Sequence, residues 1–345
     1  MAHDQASTFD AAELVIALSH YDLGVIESLT PLTKGSRRSP KTGIVAERGK
    51  FLLKRRDAAH CDPERIRFAH ALQAHLKRAG FPAPGVIPTR SGGRTFLRVG
   101  EHVYELFEFV AGQRYRATPA EAWSAGETLA EFHAAAASLE ARGPVPRADY
   151  HDNAVVRRAF DSIREQAPGT EGAAAAGILQ RLHRAYDAAS RAAAACGLPT
   201  FPAAVIHCDW HPGNMLFREG RVAAVIDYDT ARVSRRVIDV ANGALQFSLV
   251  GGEDVRDWPD EPDLDRFGAF LSGYESRSRF QPGERDAIPP LMVEALIAEA
   301  VAPLARTGRF GDLPAGAILP VIERKAAWIE AHAEALSRRP DAATV

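Results

Sequence analysis

Val205-Ile206-His207-Cys208-Asp209-Trp210-His211-Pro212-Gly213-Asn214, followed by Ala224-Val225-Ile226-Asp227-Tyr228-Asp229, decides how this chain is read. The first stretch is an apolar strand running into a tight loop that holds Asp209 and Asn214 five residues apart. A hairpin, Met215-Leu216-Phe217 paired with Val222 to Ile226 across Glu219-Gly220, then leads to a strand ending in Asp227. Phosphoryl transfer needs these parts: a carboxylate that orients an attacking hydroxyl, and an amide oxygen and second carboxylate converging on Mg²⁺. Oxygen donors suit that hard cation, and ATP phosphates and water fill the rest of its octahedron. Asp209 is the expected base, and Asn214 and Asp227 are the expected metal ligands. His207 is grouped with Asp209 as a catalytic candidate, bracing of the loop being its simpler role.

Other readings of the same residues stay open at this level. His207, Asp209 and His211 alternate along an extended chain and could share a Zn²⁺. That leaves Pro212-Gly213-Asn214 and the Asp227 strand without a purpose. Asp229 shares a strand face with Asp227 and could serve as the ligand instead, or reach a cationic substrate. Asp239 could cap the following helix while also holding the loop, capping being the simpler role.

Composition bounds what such a loop belongs to. At 345 residues the chain is long enough for two lobes or domains. Hydrophobic residues make up 46% and charged ones 25%, the balance of a soluble globular protein. A formal charge of −2 argues against a nucleic-acid binder that depends on phosphate contacts. Cys61, Cys196 and Cys208 have neither metal-type nor disulfide-type spacing, which fits a reducing compartment. No signal peptide is read at Met1-Ala2-His3-Asp4-Gln5, and no apolar run of roughly 20 residues is read elsewhere, so a cytoplasmic protein without a membrane partner is expected.

The first hundred residues read as a small antiparallel sheet with one helix. Ile44 to Glu47 and Lys50 to Lys54 flank Arg48-Gly49, a hairpin that puts Lys54 on an otherwise apolar strand. Asp62-Pro63 starts a helix whose apolar stripe is Ile66, Ala69, Leu72, Leu76 and Ala79. Gly80 and Pro82 stop it. Strands Thr95 to Val99 and Val103 to Val110 turn at Gly100. Beyond a linker near 107–114 the chain reads as mostly helical: 123–140 with a packed His133, alanine-rich 172–196, 239–250 and 289–305.

His207-x-Asp209-x-x-x-x-Asn214 with Ile226-Asp227-Tyr228-Asp229 resembles the catalytic and metal motifs of the aminoglycoside phosphotransferase/choline kinase group, which includes the type II homoserine kinases. His211-Pro212-Gly213-Asn214 is close to that group's usual wording. Weaker echoes are Lys54, Phe81-Pro82-Ala83-Pro84, Gly126 to His133 and Asp239-Val240-Ala241. The resemblance implies an α+β, two-lobed, protein-kinase-like fold. An N-lobe of antiparallel sheet and helix would span 1–110, and a helical C-lobe 111–345 would carry the catalytic loop 205–214 and the metal strand 222–229. It implies ATP and Mg²⁺, with Lys54 on the phosphates and adenine held by hinge backbone near Phe107, Glu108 and Phe109. The activity implied is transfer of the γ-phosphate to a hydroxyl of a small molecule: an amino alcohol, a sugar or an aminoglycoside.

Two features depart from that pattern. The nucleotide loop around Gly35 and Ser36 has one glycine where protein kinases have several. The helix after Lys54 has Ala69, His70 and Gln73 at mid-helix where a glutamate should pair with the lysine. Either Glu64 in the first turn pairs with Lys54, or the lysine is held differently. A catalytically silent nucleotide-binding protein of the same fold is the alternative this suggests. For the acceptor, Asp229, Trp210 and Tyr228 could hold a cationic amine through charge and aromatic contact, whereas Arg232, Arg235 and Arg236 could receive an anion.

Overall fold

The computed structural model describes residues 9–32, 39–139, 149–166 and 170–338. The chain divides into two compact units: Met1–Gln113, Ser138–Val145 and Ala223–Thr230 form the first, and Arg114–Ala137, Pro146–Val222 and Ala231–Val345 the second.

The first unit is built on an antiparallel sheet. Helix α1 (Ala11–Ser19) leads in, closed by a capping box in which Asp10 accepts the Glu13 N–H at 2.7 Å and Glu13 accepts the Asp10 N–H at 3.3 Å. Strands β1 (Ile26–Leu32), β2 (Lys41–Ala46), β3 (Gly49–Asp57), β4 (Leu97–Val99) and β5 (His102–Glu108) lie in the order β1-β2-β3-β5-β4. The expected β2–β3 hairpin turns one residue earlier, at Glu47-Arg48, and β3 runs on through Arg56. Register places Lys54 opposite Lys41 on one side and Glu105 on the other. Helix α2 (Pro63–Arg78) begins as its sequence dictates: Asp62 accepts the Glu64 N–H at 2.9 Å and Pro63 fills the first helical position. The core of this unit gathers Ala17, Leu18, Ile44, Leu53, Tyr104 and Leu106.

The second unit is mostly helical. Its elements are α3 (Pro119–Ala136), α4 (Ala154–Gln166), α5 (Thr170–Ala195), β6 (Ala203–Ile206), β7 (Met215–Arg218) and β8 (Arg221–Val225), the last carrying the chain back into the first unit. Then come β9 (Arg232–Arg235), α6 (Arg236–Ser248), α7 (Leu264–Glu275), α8 (Glu284–Thr307), α9 (Ala315–Ala331) and α10 (Ala333–Ser337). The strand leading into the 207–214 loop, β6, is antiparallel to β9, with Val205 opposite Val233. Helices α3 and α7 meet backbone to backbone: a Cβ on Gly126 would stand 1.9 Å from the Phe270 carbonyl oxygen, and one on Gly273 2.0 Å from that of Trp123.

Helix α8 corrects one expectation. With 24 residues, it is the single helix among the described residues long and apolar enough, by length and composition, to cross a membrane. Of its most apolar stretch, 78% is buried inside the fold, with Leu291, Met292, Ile297 and Val301 inaccessible to solvent. A helix that is apolar all round is a core helix when protein surrounds it.

Candidate active site

Two groups of polar residues are candidates for the chemistry, one in each unit.

In the second unit the loop after β6 is fixed from below by Asp239. Its carboxylate, fully buried on α6, accepts the backbone N–H groups of His207 and Cys208, both at 2.7 Å. His133 contacts the same carboxylate through Nε2 at 3.2 Å and Tyr274 through Nδ1 at 3.1 Å, so it is the packed histidine its helix position implies. Asp239 lies in the first turn of α6 but Arg235 occupies the cap position, and the carboxylate bonds to the loop instead. These bonds sustain an uncommon backbone: Cys208 has φ +63°, the left-handed region that a side chain with a Cβ resists.

The turn brings Asp209 out half-exposed. Asn214 donates from Nδ2 to both the Asp209 backbone oxygen at 3.0 Å and its Oδ2 at 2.8 Å. Since both partners are acceptors, the amide nitrogen must be the atom facing them, which leaves Asn214 Oδ1 pointing elsewhere. His211 Nε2 lies 3.5 Å from the same Oδ2. Burial works to raise the Asp209 carboxyl, but His211, His207 and Asn214 outweigh it and hold it below the usual carboxylate range. The group is thus ionised at neutral pH, and Oδ1 has no partner among the described residues.

His207 is fully buried, packed edge-on against Phe132 and Trp210 with ring centroids 6.0 and 5.6 Å away. Its position is that of a brace. Trp210 is equally inaccessible, and Tyr228 is buried with its hydroxyl donating to the Val225 carbonyl at 3.1 Å. Neither presents an aromatic face to an acceptor here. Sequence reasoning passed over Glu299 on α8, a solvent-reached carboxylate with protein dense around it. That surrounding protein, and then the charge of Asp209, push it up to about 7. Gln246 of α6 donates to it.

In the first unit Lys54 lies buried with Asp229 at 2.9 Å and Asp227 at 3.4 Å. Burial opposes its charge, yet Asp229 and Asp227 outweigh that and hold the ammonium ion firmly protonated. Asp227 is raised by burial, whereas Asp229 is held far below the usual range by Lys54 and Arg56 despite burial. Arg56, two residues after Lys54 and so on the same strand face, donates to Asp229 and to Glu105. His70 of α2 meets Glu105 at 2.8 Å, and Gln73 donates to the Pro84 carbonyl at 2.7 Å. Of the two alternatives for Lys54, the second therefore holds: Glu64 pairs with its exposed neighbour Arg67, and the lysine takes the carboxylates after β8. Asp229, committed to two cations, is no free partner for a substrate amine. Like Cys208, Asp227 is left-handed, with φ +65°.

Two backbone N–H groups of the expected hinge bond within the first unit. The Glu108 N–H donates to the Gly85 carbonyl at 2.8 Å and the Phe109 N–H to that of Lys50 at 3.0 Å, while Phe107 lies within β5 opposite Leu52. Gly35 and Ser36 lie outside the described residues.

Comparison with known proteins bears on the family and the fold. A profile described as "Phosphotransferase enzyme family" matches residues 31–288. A homoserine kinase of Caulobacter sp. (strain K31) is 30% identical over 313 residues, covering 89% of each chain. One from Beijerinckia indica subsp. indica is 28% identical over 284 residues, 81% of this chain and 80% of that one. Among solved structures, a microcompartment-associated aminopropanol kinase superposes with a TM-score of 0.72 at 18% identity, covering 96% of this chain and all of the other. The amicoumacin kinase hAmiN, in complex with AMP-PNP, Ca²⁺ and Ami, gives 0.68 at 13% identity over 92% of this chain and 93% of that one. The fold is therefore the protein-kinase-like one, with an antiparallel N-terminal sheet and a helical C-terminal part.

Proposed function

Because this chain belongs to the phosphotransferase enzyme family and is a small-molecule kinase, we propose that it transfers the γ-phosphate of ATP to the hydroxyl of an amino alcohol, with homoserine, the acceptor in its relatives' names, as the first candidate. The observation that carries the reading is Asp209: ionised, half-exposed, with Oδ2 engaged by Asn214 and Oδ1 left for an incoming hydroxyl. In the step itself Asp209 accepts the hydroxyl proton while the oxygen bonds to the γ-phosphorus and the bond to the bridging oxygen breaks, releasing ADP. The orientation of the Asn214 amide and the carboxylate of Asp227 suit a hard cation, so these two residues are the proposed ligands of Mg²⁺. When bound, Mg²⁺ would offset charge on the phosphate oxygens. Lys54 is assigned to the phosphates as a fixed positive charge, kept so by Asp229 and Asp227.

The silent-protein alternative drew on the lack of a mid-helix glutamate for Lys54, and that motive lapses once Asp229 and Asp227 hold the lysine.

ADP release with MgATP and a panel of homoserine, other amino alcohols, sugars and aminoglycosides tests the reading. Homoserine-dependent release is expected, reduced about 10²–10⁴-fold in Asp209→Asn as for loss of a general base. Equal rates in the variant would remove Asp209 from its role, and stimulation only by a sugar would replace the acceptor class.

A further inference from the structure

The two ring nitrogens of His211 have different tasks. Nδ1 accepts the Gly213 N–H at 3.0 Å, capping the turn Pro212–Asn214. A nitrogen that accepts carries a lone pair, so in the neutral ring the proton sits on Nε2. Nε2 stands 3.5 Å from Asp209 Oδ2, the oxygen that also receives Asn214 Nδ2 at 2.8 Å. Gly213 makes room for this: a Cβ there would come within 2.6 Å of His211 Cε1 and 2.9 Å of Nδ1. Capping accounts for Nδ1 and for the glycine. It does not account for aiming the opposite nitrogen at Asp209, since a cap needs only one acceptor.

We propose that His211 is a positioning residue for phosphoryl transfer: its Nε2–H and the Asn214 amide together occupy Oδ2 of Asp209, so that the acceptor hydroxyl meets Oδ1 alone. The backbone fixes the tautomer, and the tautomer fixes which carboxylate oxygen is left for the substrate. This inference rests on Asp209 being the base, and it assigns the residue that orients it.

The two tasks separate by substitution. His211→Asn keeps a side-chain acceptor at capping distance, asparagine being among the preferred caps, but has no atom where Nε2 stands. His211→Ala loses both, and His211→Gln carries an amide donor on a longer stem. The expected result is that His211→Asn melts with the wild type while kcat falls roughly tenfold or more, the scale of a hydrogen bond to a charged group. KM for MgATP should stay within about twofold of the wild type for such a loss. His211→Ala should show the same loss of kcat and a lower melting temperature, and His211→Gln should recover part of the rate. Wild-type kcat in His211→Asn would overturn the proposal and leave only a cap; so would His211→Gln running no faster than His211→Ala. Asp209→Asn measured alongside keeps the two failures apart. An active Asp209→Asn overturns the base itself, whereas an inactive one beside a fully active His211→Asn overturns only the role given to His211.

Discussion

Arg56 grips Asp229 with both terminal guanidinium nitrogens, Nη2 standing 2.6 Å from Oδ1 and Nη1 taking Oδ2. The same guanidinium group donates to Glu105, which also meets His70 from α2. The sheet, the helix behind it and the segment after β8 that bears Asp227 and Asp229 are thereby tied through one chain of charged and polar groups. Asp229, so held, is also the nearer of the two carboxylates that Lys54 takes in place of a glutamate on α2.

Breaking that chain should be costly, because removing one partner of a buried pair leaves the other charge uncompensated. Arg56→Met is expected to lower stability by about 3–5 kcal/mol, read as a shift in the urea unfolding midpoint. Glu64→Ala should change it by less than about 0.5 kcal/mol, since the Glu64–Arg67 pair is exposed. It should also leave KM for MgATP unaltered. A rise in that KM would return Glu64 to the nucleotide site.

Asp239 offers a second place where one side chain holds a functional loop. Both of its oxygens accept backbone N–H groups, so the NH₂ of an asparagine would face a donor with a donor. Asp239→Asn is expected to cost about 2–3 kcal/mol. Because Cys208 keeps its left-handed backbone against this carboxylate and directly precedes Asp209, kcat should fall as well. Thermal unfolding and turnover on the same sample check both. Loss of stability with full turnover would show that Asp239 supports the fold and leaves Asp209 correctly placed without its help.

What could be read from the sequence was what the chain encodes locally. Asp209 and Asn214 lie five residues apart, and their mutual hydrogen bond closes over that short span. Asp62-Pro63 announces α2 for the same reason, as did Asp10 and Glu13 for α1, a capping box that went unread. The partner of Lys54 could not be read, because Asp229 lies 175 residues further along the chain and only folding brings them together. The same distance hid the fate of Arg56 in the cluster Lys54-Arg55-Arg56: strand alternation puts it beside Lys54, but nothing local says that Glu105 lies alongside. Trp210 and Tyr228 are buried for a reason the sequence does not carry, since an aromatic residue next to Asp209 or Asp227 can equally well pack inward.

Glu299 escaped notice because it is one of three glutamates on a long apolar helix, and only its surroundings set it apart. Those surroundings carry a pH dependence whose sign follows from linkage. The carboxyl titrates at about 7 in the fold against an ordinary value of 4.5, so between these values the folded state binds more protons than the unfolded one. Stability is then highest below the ordinary value and declines as pH rises through about 7. Replacing the group by Glu299→Gln removes the titration while keeping a hydrogen-bonding side chain beside Gln246. Solvent reaches this carboxylate, which damps the size of the effect but leaves its direction. The variant should therefore gain on the wild type in denaturant midpoint between pH 5 and pH 8 as the wild-type carboxylate ionises toward Asp209. A stability difference that is the same at both pH values would mean that Glu299 ionises as freely in the fold as in the unfolded chain.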